Sequence, residues 1–389
     1  MDFKFTEEQE RLRQEVRDFL EEEIRRGTFV PQCDVWMSGH SVELTRKIAE
    51  RGWIGMTFPK EYGGHGCSWV DRLIVTEELL RYGAPTALQW FGDRQIGRSI
   101  LAYGSEEQKR EFIPKIVSGE ASFAGGLSEP EAGSDLASLK TRAVEDGETY
   151  IINGQKIWTS GKGRNYIYLV VRTDPEVPKH KGLSEFVIEA NLPGITWRPI
   201  MTIAGEEEFN EVFFDNVRVP KKCMIGEKNR GWYQIASQLD YERSGIERLM
   251  GNYPLFEALI QFVKETKRDG KPLSKDTLIR NKLAQLQIEF EVGRLFAYRA
   301  TVILDEGRVG NWEAAMSKAY STAFEKHLAS TAMEILGLYG QLMSESKLVP
   351  IRGMASYSYL GSKSYSLQGG TSEILKNIIA LRGLGLPRE

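Results

Sequence analysis

Leu12, Val16, Phe19, Leu20 and Ile24 fall on one face of a 3.6-residue repeat, which predicts an amphipathic helix near the start of the chain. Thr6 with Gln9 forms a capping box that would start it. The same spacing predicts helices over 42–51, 69–82 and 95–103, and Ser105-Glu-Glu-Gln caps another over 106–117. Near residue 120 the period shortens to two. Tyr150-Ile-Ile-Asn-Gly-Gln-Lys-Ile-Trp158 carries a hairpin signal, with Asn153-Gly154 as the two positive-φ residues of a type I′ turn. Further strands are expected over 166–171, 184–189, 212–214 and 216–220. From Trp232 onward helical spacing returns over 253–267, 274–306, 312–337 and 372–381, two of these long enough for a bundle or a subunit interface. The pattern thus predicts a mostly α protein with a central β domain: helical 1–120, β 121–232 and helical 233–389.

The 389 residues are too many for one ordinary core, in keeping with several packed units. A net charge of −3, with Lys and Arg spread along the chain, gives no basic stripe for nucleic acid. No apolar run approaches the roughly 20 residues that span a bilayer. The N-terminus lacks a signal-peptide apolar core, so a cytoplasmic chain is expected. Cys33, Cys67 and Cys223 form neither a disulfide framework nor a CxxC pair. His40, His65, His180 and His327 are scattered, and no metal is expected.

Neither a GxGxxG fingerprint nor a Walker loop is present. Gly125-Gly-Leu-Ser-Glu-Pro-Glu-Ala-Gly-Ser-Asp135 gathers turn formers, hydroxyls and carboxylates at the helical-to-β boundary. Composition alone makes it an interdomain turn, with Ser134 or Asp135 capping the next segment. Trp158-Thr-Ser160 sets an aromatic face beside two hydroxyls, and by itself such a Trp is more often core.

These two stretches resemble signatures of the acyl-CoA dehydrogenase family. Phe58-Pro-Lys-Glu-Tyr-Gly-Gly64, Gly104-Ser-Glu-Glu-Gln-Lys109, Val217-Arg-Val-Pro220 with Gly226, and Gly370-Thr-Ser-Glu-Ile-Leu-Lys-Asn-Ile-Ile379 extend the resemblance, in order, over nearly the whole chain. It implies a helical bundle, a β-barrel-like domain and a four-helix bundle, with FAD as cofactor, an acyl-CoA substrate and electron transfer flavoprotein as acceptor. It further implies that Leu127 and Ser128 meet the pyrimidine end of the flavin, that Trp158 covers the ring, and that Thr159 and Ser160 lie beside it. Ser134 falls where the family contacts cofactor phosphates or CoA, Thr371 where it contacts flavin, and Glu373 where it contacts the ADP part.

The usual catalytic glutamate position is Gly369, in Gln368-Gly-Gly-Thr371. A minority of the family carries the base on an earlier helix, before an arginine. Asp240-Tyr-Glu-Arg243 matches that arrangement and makes Glu242 the candidate base, with Arg243, Gly369 and Gly370 on the substrate side. The bland alternative is a solvated Glu-Arg pair. Glu129, Glu131 and Asp135 belong to the cofactor-side turn, and Asp93 is at most polar lining. A flavin monooxygenase or oxidase of the same fold, or a silent subunit of a heteromeric enzyme, are the competing readings.

Two departures bear on assembly. Thr266 and Asp269 replace an arginine and a phenylalanine that reach a neighbouring subunit's FAD in the common pattern, leaving Arg268 as a substitute. Glu334-Ile-Leu-Gly-Leu338 replaces Gln-Ile-Leu-Gly-Gly. Asp269 and Glu334 would repel a pyrophosphate unless they face solvent or pair with lysines such as Lys267. A tetramer is expected, with a homotetramer and a heterotetramer both open and the homotetramer slightly favoured.

Overall fold

The structure, a computed structural model, describes residues 4–161 and 163–388. Helices α1 (Glu7–Arg26), α2 (Val42–Glu50), α3 (Trp69–Arg81), α4 (Ala87–Phe91), α5 (Gly97–Tyr103) and α6 (Glu106–Val117) come first. Strands β1 (Phe123–Gly126), β2 (Arg142–Asp146), β3 (Thr149–Ser160), β4 (Tyr166–Arg172), β5 (Leu183–Glu189), β6 (Ile195–Ile200), β7 (Phe209–Pro220) and β8 (Met224–Ile225) follow. The chain then returns to helix as α7 (Gly231–Arg243), α8 (Glu247–Met250) and α9 (Tyr253–Glu265). A short hairpin of β9 (Lys267–Arg268) and β10 (Lys271–Pro272) leads into α10 (Thr277–Asp305), α11 (Asn311–Leu336), α12 (Met354–Tyr365) and α13 (Ser372–Ile378). The protein is mostly α with a central β-sheet. Among the described residues no helix is long and apolar enough to cross a membrane.

Backbone contacts divide the chain into two units. One comprises Met1–Gly39, Ser68–Pro85 and Arg243–Glu389. Here the expected capping box of Thr6 and Gln9 starts α1, and a second one, Ser68 with Asp71, starts α3. Buried Arg13 of α1 donates to Glu77 of α3 at 2.8 Å, and Tyr298 of α10 donates to the same carboxylate at 2.8 Å. The three helices are thereby tied at a shared charge that solvent cannot reach.

The other unit comprises His40–Cys67 and Thr86–Glu242 and holds the sheet, ordered β6-β7-β3-β2-β4-β5-β8 with β1 beside β4. β4 is buried on both faces and reads as a near-continuous apolar run, whereas β5, equally buried, carries Ser184 and Glu185 within it. β3 and β7 alternate instead, and their inward residues, among them Ile152, Val212, Phe214 and Val217, build the core.

The hairpin expected at Asn153-Gly154 is not there. β3 runs unbroken through both residues, paired with β2 on one edge and β7 on the other. The reversal lies earlier, where Asp146 pairs with Thr149 around Gly147 at φ +59°. Asn153-Gly154 forms a bulge against β7: Asn216 N–H donates to Asn153 Oδ1 at 2.8 Å, and Asn216 itself sits at φ +50°. Glycine is needed because a Cβ at 154 would lie 2.6 Å from Thr141 Oγ1. β7 likewise joins two stretches that the sequence pattern separates.

Candidate active site

In the sheet-bearing unit, the loop after β1 is clamped from beneath. Lys156 of β3 is wholly buried, its Nζ 3.0 Å from the Leu127 carbonyl and 2.9 Å from Glu129 Oε1. Glu129 also accepts the backbone N–H groups of Lys140 (2.6 Å) and Thr141 (2.8 Å). Burial opposes ionisation of this carboxyl, but the Lys156 ammonium and the amide donors outweigh it and hold its pKa below the usual range. Burial pushes the Lys156 amine down to about 8 against the pull of Glu129. Ile157 N–H donates to the Ser128 carbonyl at 2.9 Å, which sets Ser128 beside the 157–160 stretch.

Trp158 occupies a second break in the β3–β7 register, at φ +61°, with its indole 57% exposed and edge-on to Phe209. A bulky residue in that region stores strain, of order 1–3 kcal/mol, and such strain clusters at functional positions. Beside it, buried Thr159 Oγ1 and Asn210 Oδ1 have no hydrogen-bond partner among the described residues. An open aromatic face next to unmet polar atoms and Ser160 fits a flat ring with a polar edge, as an isoalloxazine has. Ser134 is exposed farther along the same loop.

The other carboxylates of the loop are engaged. Glu131 pairs with Lys140, while Asp135 pairs with Lys179 at 2.7 Å and accepts from Ser138. Asp93 is buried and accepts the Gly55 N–H at 2.8 Å, which makes it a backbone brace.

The candidate base, Glu242, is half-buried on the last turn of α7. The chain passes from one unit to the other between Glu242 and buried Arg243. In the helical unit Arg243 Nε donates to the Gly369 carbonyl at 3.0 Å. Lys318 of α11, buried, donates to the Gly370 carbonyl at 2.6 Å and to that of Tyr365 at 3.2 Å. Two cations thus pin consecutive peptides whose φ angles, +62° and +105°, favour glycine. Thr371 caps α13, and Glu373 lies exposed on its first turn, where a backbone hydrogen bond and the Thr371 hydroxyl hold its carboxyl below the usual range.

Arg268 is exposed next to the tip of the β9–β10 hairpin, whose turn is Asp269 (φ +51°) and Gly270 (φ +76°). Asp-Gly is a preferred pair for such a turn, so local geometry alone accounts for Asp269. Glu334 is paired with Lys282 of α10 rather than with Lys267.

Sequence alone assigns no role to Lys156, Lys318 or Glu185, the last a fully buried acid on β5. The available signal is a charged residue inside an apolar stretch, as in Tyr150–Trp158 and in α11.

Residues 6–120, 124–217 and 229–384 match in turn the N-terminal, middle and C-terminal domain models of acyl-CoA dehydrogenases. "Acyl-CoA dehydrogenase FadE26" of Mycobacterium tuberculosis is 34% identical over 408 aligned residues, covering 100% of this chain and 99% of that protein. The solved "Tcur3481-Tcur3483 steroid ACAD" superposes with a TM-score of 0.89 at 32% identity, over 100% of both chains. A chain of the "ChsE4-ChsE5 complex from Mycobacterium tuberculosis" gives 0.86 at 32% identity, again over 100% of both.

Proposed function

The chain belongs to the acyl-CoA dehydrogenase family, and we propose that it removes the α proton and the β hydride of an acyl-CoA thioester to leave the trans-2-enoyl-CoA, with Glu242 as the base. Membership makes it an oxidoreductase and an FAD flavoprotein. Bound FAD supplies the hydride acceptor, N5. The protein's own task is to hold the ring, polarise the thioester and take the α proton.

Leu127, Ser128, Thr159 and Ser160 present backbone and hydroxyl groups to the ring, and Trp158 covers it. Ser134 serves the cofactor phosphates or CoA, Thr371 the flavin and Glu373 the ADP part. The Gly369–Gly370 peptides supply the thioester carbonyl's donor, which needs no side chain. Arg243, through its bond to the Gly369 carbonyl, orients that segment.

The observation that carries the base assignment is the pairing of two changes. Residue 369 is a glycine at φ +62°, so it offers no carboxylate, while a half-buried glutamate stands directly before the arginine that holds that glycine. Glu242→Gln should therefore lose at least about 10²–10⁴-fold in turnover while keeping its flavin and its affinity for acyl-CoA. Glu242→Gly combined with Gly369→Glu should recover part of the loss. Turnover of Glu242→Gln near the wild-type rate refutes the assignment and favours a silent subunit. Rapid oxygen consumption by the reduced protein would favour an oxidase.

Electron transfer flavoprotein is the proposed acceptor. The proposed assembly is a heterotetramer with a related chain. It is supported by the loss of the arginine and phenylalanine at 266 and 269, and by the likeness to a chain of the ChsE4–ChsE5 complex. Leu278, Ile288, Leu295 and Val302 of α10 are exposed and suit burial in such an interface.

A further inference from the structure

Lys318 stands within α11 and is 1% exposed, so its ammonium is held out of water. A buried charge persists only where strong hydrogen bonds replace its hydration. Here two peptide carbonyls at the ends of one short loop accept from it: Tyr365, the last residue of α12, at 3.2 Å, and Gly370 at 2.6 Å. The first is a fixed point. Tyr365 is buried, and its hydroxyl accepts from Asn252 Nδ2 at 3.3 Å. Asn252 in turn accepts from Ser358 Oγ at 2.7 Å and donates its N–H to Glu325 at 3.1 Å. Glu325 follows Lys318 by seven residues, two turns along the same face of α11. The helix thus anchors Tyr365 at both ends, and the lysine carries that anchorage to Gly370.

Gly370 is where anchorage is needed. Glycine rotates with little penalty, so the peptides on either side of it turn over easily unless they are held. Arg243 Nε holds the Gly369 carbonyl at 3.0 Å, and Lys318 holds that of Gly370. Between them the two cations set both peptide planes that meet at Gly370. In a planar trans peptide the N–H points away from the carbonyl, so the N–H groups of Gly370 and Thr371 are turned from the cations. A cation on the carbonyl oxygen also polarises the peptide and strengthens the N–H at its other end as a donor.

Resting on the reading that the Gly369–Gly370 peptides receive the thioester carbonyl, we propose that Lys318 is a positioning residue for the reaction: it sets and polarises the peptide donors that stabilise the enolate formed as the α proton leaves. Negative charge reaches the thioester oxygen only as that proton departs to Glu242. The lysine therefore acts on the transition state more than on substrate binding.

The test uses FAD-loaded full-length protein. Butyryl-, octanoyl- and palmitoyl-CoA report turnover, and the 3-thia analogue of the best of them reports the proton step alone. Sulfur at the β position leaves no hydride to transfer, but the α proton can still leave, and the enolate against oxidised flavin gives a long-wavelength charge-transfer band. Lys318→Met removes the charge at similar length, and Lys318→Gln keeps a neutral donor. In Lys318→Met, kcat should fall roughly tenfold to a hundredfold with KM changed less than about twofold. The midpoint pH of the band should rise by about one to two units, one for each tenfold loss of enolate, and Lys318→Gln should shift it less. Flavin content and melting temperature report folding, and Lys318→Gln carries the test if Lys318→Met loses its flavin. Lys326 donates to Ser366 Oγ at 3.2 Å in the same loop without reaching either peptide, so Lys326→Met should leave the midpoint in place. An unmoved midpoint in a flavin-loaded Lys318 variant, a rise in KM alone, or an equal shift in Lys326→Met overturns the inference and leaves the dehydrogenase reading intact. Wild type that shows neither the band nor bleaching with any probe overturns that reading, and this inference with it.

Discussion

Glu129→Ala isolates the clamp beneath the loop that carries Leu127 and Ser128, the proposed flavin contacts. Lys156 titrates at about 8 rather than 10.5, and each pH unit of displacement is about 1.4 kcal/mol, so its burial already costs the folded protein about 3 kcal/mol. Without Glu129 the amine sheds its proton, which caps the cost at about 5 kcal/mol at pH 7, an increase of about 1–2 kcal/mol. The carboxylate also accepts the Lys140 and Thr141 N–H groups, and losing such charged bonds adds roughly 1.5–3 kcal/mol. The sum falls near the roughly 3–5 kcal/mol typical of breaking one side of a buried pair. Leu127 and Ser128 sit on this loop, so the loss should appear as weaker FAD binding as well as a lower melting temperature. Fluorescence titration of the apoprotein with FAD, with thermal unfolding alongside, measures both. Glu129→Leu with Lys156→Met should recover part of the stability, because apolar groups of similar volume can replace a buried pair. If Glu129→Ala binds FAD and melts like wild type, the clamp does not hold the loop.

Glu185→Gln tests the buried acid. Its folded pKa of about 7 exceeds the usual 4.5, so its contribution to stability is full below about pH 4.5 and is lost as pH rises through 7. Wild type and variant should melt alike near pH 4.5, and the variant should be more stable by up to about 3 kcal/mol at pH 8; parallel pH profiles contradict this. For assembly, light scattering on the chain expressed alone should show a species smaller than a tetramer with little flavin, restored by a co-expressed relative. A stable tetramer with one FAD per chain excludes the obligate partner.

Local chemistry made much of the fold legible. The capping boxes at Thr6 and Ser105 mark helix starts because every interaction that defines them lies within four residues. Asn153-Gly154 misleads for the opposite reason. Its local preference is a I′ turn, but pairing of β3 on both edges and the approach of Thr141 turn it into a bulge, and the true turn at Gly147 carries the weaker signal. α12 is missed because serines and tyrosines between Met354 and Tyr365 blur its apolar spacing. In the candidate site, Glu242 and Trp158 are legible through motif resemblance. Lys318 and Glu185 are not, since their importance lies in partners distant in sequence: the Gly370 carbonyl for one, Ser99 and Gln234 for the other.

Whether an acyl-CoA gives up two hydrogens to the bound flavin through Glu242 is tested most directly by anaerobic mixing. The yellow holoprotein is combined with an excess of each of a panel of acyl-CoAs and followed at the flavin absorbance band and by mass analysis of the thioester. Wild type should bleach and yield a product lighter by two hydrogens, while Glu242→Gln binds the same probe and stays yellow. Wild-type protein that remains yellow with every acyl-CoA, or that cannot be loaded with FAD at all, would contradict the account.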